Sequence, residues 1–358
     1  MTFLSHDSLA YFLGKPVVTA DLRSKYQDFK VFEILPFSPT NEGEHLFIEI
    51  EKTGTNTVYV ARQLAKYFGV KENLVTYAGL KDRFAVTKQW FGVHLPGKKE
   101  YDLSDCLIDG VTILQSVRHN KKLKTGALLG NKFEITLRNV TDKEELLNRY
   151  DQVIKKGIPN YFGEQRFGIE QGNLDKALAL FDGQKVKDKK KRGMYLSAAR
   201  SYLFNYSVHQ RIENQHFDVP MGGDVFMLAG TQSIFSPDLI DEDIFKRLKE
   251  QDIDITATMW GAGELKTTAS THEFESKLSQ LFPEFCQGLA KFGLKQERRR
   301  IRLSITQAKT TINDDNSVTL SFILPAGCYA TTVLREVVNY QDVSERHVSA
   351  DRLNRNNQ

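Results

Sequence analysis

Residues 77–90 read Tyr77-Ala78-Gly79-Leu80-Lys81-Asp82-Arg83-Phe84-Ala85-Val86-Thr87-Lys88-Gln89-Trp90. An apolar run, Val75-Thr76-Tyr77-Ala78, meets Gly79, and a charged Lys-Asp-Arg triplet follows. That pattern is a buried strand entering a turn. A carboxylate just after a strand can be held rigidly at the mouth of a cleft. Lys81 and Arg83 can draw a phosphate there and keep Asp82 ionised. On residue type alone, Asp82 reads instead as a turn or helix-capping residue.

Working outward, residues 17–36 hold short alternating stretches, with Phe29, Val31 and Glu33 on one side and Lys30 and Phe32 on the other. Residues 44–52 set Leu46, Ile48 and Ile50 against Phe47, Glu49 and Glu51, a half-buried strand. Gly54 punctuates it. Asn56 is placed to cap a helix over 57–68, where Val58, Ala61, Leu64 and Ala65 recur at helical spacing and Gly69 follows. Downstream, 131–140 alternate Phe133, Ile135 and Leu137 inward, and a helix over 142–156 follows. The texture then changes. Residues 170–215 read as helical and basic, and 237–252 and 271–292 as helical. Strand patterns return at 299–307 and 317–324, with a helix over 330–340. The expected fold class is α+β. A mixed domain built from both termini (1–155 and 304–358) is interrupted by a largely helical insertion (156–303).

Composition sets bounds around this reading. A chain of 358 residues exceeds what one compact core usually holds. The 49 Lys+Arg against 45 Asp+Glu leave a net charge of +4, too mild by itself to indicate nucleic acid. Cys106, Cys286 and Cys328 are far apart, with no C-x-x-C pair and no zinc-ligand spacing. That usage fits free thiols in a reducing compartment. The N-terminal residues lack the charge and apolar run of a signal peptide, and no stretch approaches a spanning helix. The expected location is cytoplasmic, without membrane contact. Phosphate-binding and dinucleotide glycine loops, the H-E-x-x-H zinc motif and the G-x-S-x-G elbow are all absent from the sequence.

The segment around Asp82 resembles the signature of the TruD family of pseudouridine synthases, A-G-x-K-D-x-x-A-V-T-x-Q, at every fixed position. Further blocks resemble the same family in its order. Gly43-Glu44-His45-Leu46 with Lys52-Thr53-Gly54-x-Asn56-Thr57 resembles the upstream block. Arg118-His119 through Gly130-Asn131-x-Phe133 resembles the next. Asn160-Tyr161-Phe162-Gly163-x-Gln165-Arg166-Phe167-Gly168 resembles the start of the family's insertion domain, and 196–205 lie within it. Leu324-Pro325-Ala326-Gly327-x-Tyr329 through Arg335-Glu336 resembles the closing block. Together they span most of the chain.

The resemblance implies a pseudouridine-synthase-type, mainly antiparallel sheet. It implies isomerisation of uridine to pseudouridine in tRNA, at position 13, with no cofactor and no metal. It suggests a monomer without an obligate protein partner. Asp82 occupies the position of the catalytic aspartate, and Arg23 that of the basic residue near it. Phe133 matches the ring that stacks on an extruded uracil, and Asn131 can bond the base edge. Phe29 and Tyr329 match other aromatic positions; a tyrosine at 329 departs from the family's usual phenylalanine. Lys81 and Gln89 are candidates for phosphate or base contacts. By residue type alone, Phe29 and Phe133 are strand core and Arg23 is a surface charge at a strand start. Affinity for tRNA is expected from basic clusters at Arg118, Lys121, Lys122 and Lys124, at residues 187–192, and at Arg298, Arg299, Arg300 and Arg302. Two other readings compete: an RNA-binding or RNA-folding protein on the same fold, and a basic scaffold for a protein partner.

Overall fold

The computed structural model describes residues 3–97 and 99–344. The chain forms two compact units. One comprises Pro16–Ile154, Ile305–Gly327 and Val337–Gln358; the other comprises Met1–Lys15, Lys155–Ser304 and Cys328–Glu336. Residues 3–15 and 328–336, grouped with the terminal domain by sequence order, thus cluster with 155–304 by contact.

The first unit is built on β1 (Thr19–Leu22), β2 (Phe29–Ile34), β3 (His45–Thr53), β4 (Val75–Tyr77), β5 (Val86–His94), β6 (Val111–His119) and β7 (Gly130–Leu137), with helices α1 (Thr57–Phe68) and α2 (Lys143–Lys156, its last turn passing into the other unit). Its main sheet runs Thr306–Ile312, Val318–Pro325, β7, β2, β5, β3, β6, with β4 also on β5. Every pairing in it is antiparallel except β2 with β5. β1 pairs separately, in parallel, with the strand Asn339–Asp342.

One face of β3 and β5 packs on α1. Asn56 Oδ1 accepts from Val58 N at 2.9 Å and Gly69 closes the helix at φ 64, the cap geometry its residue types favour. Val60 and Leu64 are fully buried against Ile48, Ile50 and Phe91. Each such side chain contributes about 1.5–3 kcal/mol of burial. Two details depart from the sequence reading. Val58 faces outward, and Val60 takes its place in the core. Phe47 is buried on the opposite face with Trp90 and Leu123, so β3 is covered on both sides there. Beyond β7, the Tyr150 hydroxyl of α2 donates to Ser321 O at 2.9 Å.

The second unit packs helices Gly172–Phe181, Lys189–Glu213, Ala269–Leu281 and Pro283–Lys291 around one core. It also holds a four-stranded sheet of Phe226–Leu228, Ile234–Phe235, Ile253–Met259 and Glu297–Arg300, of which the sequence reading touched only the last, through its strand pattern at 299–307. Two of those strands have two or three residues, too short to show a period. The buried Arg211–Asp224 ion pair ties the end of the long helix to the segment before this sheet. No described helix is long and apolar enough to cross a membrane.

Candidate active site

Residues 78–85 connect β4 to β5 without regular structure, yet nearly every one is anchored. Ala78 O accepts from Gly126 N at 2.7 Å, and Gly79 O from Gln89 Nε2 at 3.4 Å. Lys81 N donates to Thr57 Oγ1 at 3.1 Å, and that hydroxyl donates to Gln89 Oε1 at 2.9 Å. Arg83 Nε donates to Gly54 O at 3.2 Å. The Phe84 ring lies 4.3 Å from Tyr26. Gly54 sits at φ 67, and a side chain on it would meet that tyrosine ring. Leu80 projects from the loop, 69% exposed.

Asp82 is held at both ends. Its carboxylate Oδ2 accepts from Arg23 Nη2 at 3.1 Å, with the aspartate side chain 36% exposed and the arginine 9%. Its backbone oxygen accepts from Lys52 Nζ at 2.9 Å, and the same ammonium donates to Thr55 O at 2.8 Å. Lys52 is fully buried. Burial pulls its ammonium from 10.5 down to about 8, opposed by Asp82 and aided by the charge of Lys81. Lys52 was not among the sequence candidates. Its signal is phase: it continues the inward series Leu46, Ile48, Ile50, where a lysine must find partners.

Arg23 follows β1 with its backbone at φ 59, and its guanidinium lies 4.2 Å over the Phe29 ring. Phe29 meets Phe133 edge-on at 6.4 Å, and Phe133 stacks on Phe322 at 5.5 Å. β2 and β7 set Val31 opposite Phe133 and Glu33 opposite Asn131, so all four share one sheet face with Phe29. Asn131 Oδ1 is buried without a hydrogen-bond partner among the described residues. Asp82, Arg23, Phe29, Lys81, Gln89, Asn131 and Phe133 therefore all lie within one unit.

Two candidates have internal duties. Lys81 Nζ pairs with Glu33 Oε1 at 2.5 Å, both side chains almost fully buried, and Glu33 Oε2 accepts from Trp90 N at 3.0 Å. Gln89 is fully buried and bonds the loop rather than facing solvent. Tyr329 belongs to the other unit, where its hydroxyl accepts from Arg166 Nε at 3.1 Å. Tyr329 is half-buried, and that bond gives its hydroxyl a partner.

The basic clusters also separate. Arg298 is spent on Glu275 at 2.7 Å and Arg300 on Asp254 at 3.2 Å. Arg299 donates to Asn160 Oδ1 at 2.7 Å over the Phe162 ring, and Arg302 donates to Lys156 O. These arginines brace the second unit, and their expected role in holding phosphate does not fit that placement. Arg118 likewise donates to Leu95 O and Lys99 O. Lys121, Lys122 and Lys124 are exposed, as are Lys187, Lys189, Lys190 and Lys191. Among the described residues no group of His, Cys, Asp or Glu is spaced to hold a metal ion.

A family model described as tRNA pseudouridine synthase D (TruD) matches residues 6–180 and 182–337. The chain is 58% identical over 346 residues to the tRNA pseudouridine synthase D of Colwellia psychrerythraea, covering 94% of each. It is 49% identical over 338 residues to that of Shewanella oneidensis, covering 94% of this chain and 90% of the other. A crystal structure assigned to tRNA pseudouridine synthase D (TruD) of Methanosarcina mazei superposes with a TM-score of 0.68 at 22% identity, over 92% of this chain and 95% of that one. The structural likeness speaks for the fold, and the sequence matches speak for descent: this chain belongs to the tRNA pseudouridine synthase D (TruD) family.

Proposed function

We propose that the chain isomerises uridine to pseudouridine in tRNA, at position 13, with Asp82 as the catalytic carboxylate. The observation that carries this reading is the treatment of Asp82. A part-exposed carboxylate is oriented by a nearly buried arginine, while its own backbone is clamped by a buried lysine. A structural turn aspartate needs neither.

The reaction breaks the bond between N1 of uracil and C1′ of ribose, turns the base, and joins C5 to C1′. The proton leaves C5 and N1 regains one, so no redox partner is consumed. Asp82 serves it either by adding to C1′ or by taking a proton from the sugar. Each role needs an ionised oxygen held against the ribose. Arg23 and Lys52 place positive charge beside it. The target base must leave its stack. Phe133, 7% exposed, is the ring assigned to stack on it, with Phe29, 2% exposed, behind it edge-on, so the base reaches Phe133 only if the site opens; Asn131 Oδ1, buried and without a partner among the described residues, is an acceptor suited to the uracil N3–H. Lys121, Lys122, Lys124 and the lysines of 187–191 supply phosphate contacts that set affinity.

The test is pseudouridine mapping on an unmodified tRNA transcript by carbodiimide treatment and reverse transcription. A stop at position 13 that disappears with Asp82→Asn supports the reading. A stop elsewhere revises the substrate position. Binding without any stop favours an RNA-folding role, and an active Asp82→Asn protein removes Asp82 from the chemistry.

A further inference from the structure

Arg23 occupies a costly conformation. A residue with a Cβ rarely adopts φ 59, and such strain persists where the surroundings over-determine it. What determines it here is the parallel ribbon of β1 with Asn339–Asp342. Its register sets Leu22 opposite Asp342, and Val343 N closes it on Leu22 O at 3.0 Å. The ribbon brings Asp342 beside Arg23. Arg23 Nη1 donates to Asp342 Oδ2 at 2.5 Å, a shorter contact than the 3.1 Å from Nη2 to Asp82. The other Asp342 oxygen, Oδ1, accepts from Ser344 N at 3.0 Å. Asp342 is therefore fixed from two sides, and one guanidinium is divided between two carboxylates.

We propose that Asp342 is a positioning residue for Asp82: it anchors Arg23 and takes up part of its charge, so that the arginine orients the catalytic carboxylate without quenching it. This rests on the catalytic reading of Asp82. A carboxylate that owned the whole arginine would be the weaker base and nucleophile, because a nearby positive charge stabilises its ionised form. The other charges around Asp82 are already allocated. Lys52 of β3 grips backbone oxygens, Lys81 of the same loop is held by Glu33 of β2, and Arg83 donates to Gly54 O. On β1, Asp21 accepts from Asn139 Nδ2 at 2.7 Å. Among these contacts, Asp342 is the one carboxylate that competes for Arg23.

Asp342→Asn removes the charge and keeps one oxygen, so either Arg23 Nη1 or Ser344 N retains its acceptor and the other faces the amide nitrogen. Turnover is measured on an unmodified tRNA transcript from pH 5 to 9. We expect kcat to fall on the order of tenfold, the scale of a mis-set reacting group, with KM for the transcript unchanged. The acid limb moves to lower pH, since Asp82 now faces the full arginine charge and ionises more readily. Asp342→Glu regains part of the rate. In an Arg23→Ala background, Asp342→Asn has no further effect on kcat. A lowered melting temperature with kcat and the acid limb in place would show Asp342 to be merely structural and overturn the proposal; a change confined to KM would do the same. Asp82→Asn is run alongside. If that protein turns over, the catalytic reading itself fails, an outcome distinct from a silent Asp342→Asn.

Discussion

Lys52→Met separates what this buried lysine does for the fold from what it does for the reaction. The substitution leaves Thr55 O and Asp82 O without their donor. Each orphaned carbonyl costs about 1–3 kcal/mol. Against that, it removes an ammonium whose burial lowers its pKa from 10.5 to about 8, a desolvation of about 3 kcal/mol. The two effects nearly cancel, so urea unfolding at pH 7 should move by no more than about 2–3 kcal/mol. Activity should not be spared. Asp82 loses a backbone clamp and a positive neighbour, and kcat should drop on the order of a hundredfold. The pH dependence is sharper still. Between about pH 8 and 10.5 the unfolded chain keeps the lysine proton that the folded chain has released. The unfolded state then binds more protons, and stability rises with pH by up to about 1.4 kcal/mol per unit. Below pH 8 both states are protonated and this slope vanishes. Over the same alkaline range the ammonium charge beside Asp82 disappears and turnover declines. Stability from this group and activity thus diverge above pH 8. Tritium release from 5-tritiated uridine in a tRNA transcript, beside urea melts from pH 7 to 10, measures both. An alkaline limb unchanged by Lys52→Met would refute the reasoning, as would a stability difference from wild type that does not grow above pH 8.

Other expectations follow from the same geometry. Asn131→Ala deletes a buried oxygen without a partner among the described residues, so melting should hold within about 1 kcal/mol while kcat/KM falls; a large loss of stability with full activity would place Asn131 in the core instead. Replacing Lys121, Lys122 and Lys124 together by alanine should weaken tRNA binding at every sequence. It should also flatten the salt dependence by about 0.7–0.9 in log–log slope for each phosphate left without its lysine, read by filter binding across a salt series. Asp224→Ala strands the fully buried Arg211 and should cost about 3–5 kcal/mol in urea unfolding; Arg211→Met with Asp224→Leu should recover much of it.

Much of the fold was legible because local rules and global packing agree. Asn56 and Gly69 bracket α1, and the alternation through Phe133, Ile135 and Leu137 marks β7. What stayed hidden depends on partners far away in sequence. Arg298 and Glu275, or Arg300 and Asp254, meet only once the strands pair, so the arginine run reads as a solvent-facing patch until then. The strand Ile253–Met259 does alternate, with Ile253, Ile255, Ala257 and Met259 against Asp254, Thr256 and Thr258, but it is one short run between helices and the sequence reading passed over it. In the site, resemblance to the family marked Asp82, Arg23 and Asn131. It placed Lys52 in the upstream block without giving it a role, and it did not reach Asp342; these residues hold Asp82 and Arg23 from outside the 77–90 segment. Glu33 was visible as an acid on an inward phase, and the structure gives it two partners.

Glu33 shows how an irregular loop can share the stiffness of a sheet. The paired register of β2 and β5 ends at Phe32 and Lys88, and the next rung comes from a side chain, Glu33 Oε2 to Trp90 N. The other oxygen of that carboxylate holds Lys81 in the loop. Residues 78–85 are thus fastened to β2, β3, β5 and α1 at once, and opening them means parting strands. The Lys81 amide, bonded to Thr57 Oγ1 inside this frame, should exchange with solvent at a rate close to those of β5, governed by global unfolding rather than by local fluctuation. Such a loop is ordered when the chain folds, and meeting RNA costs it no further entropy.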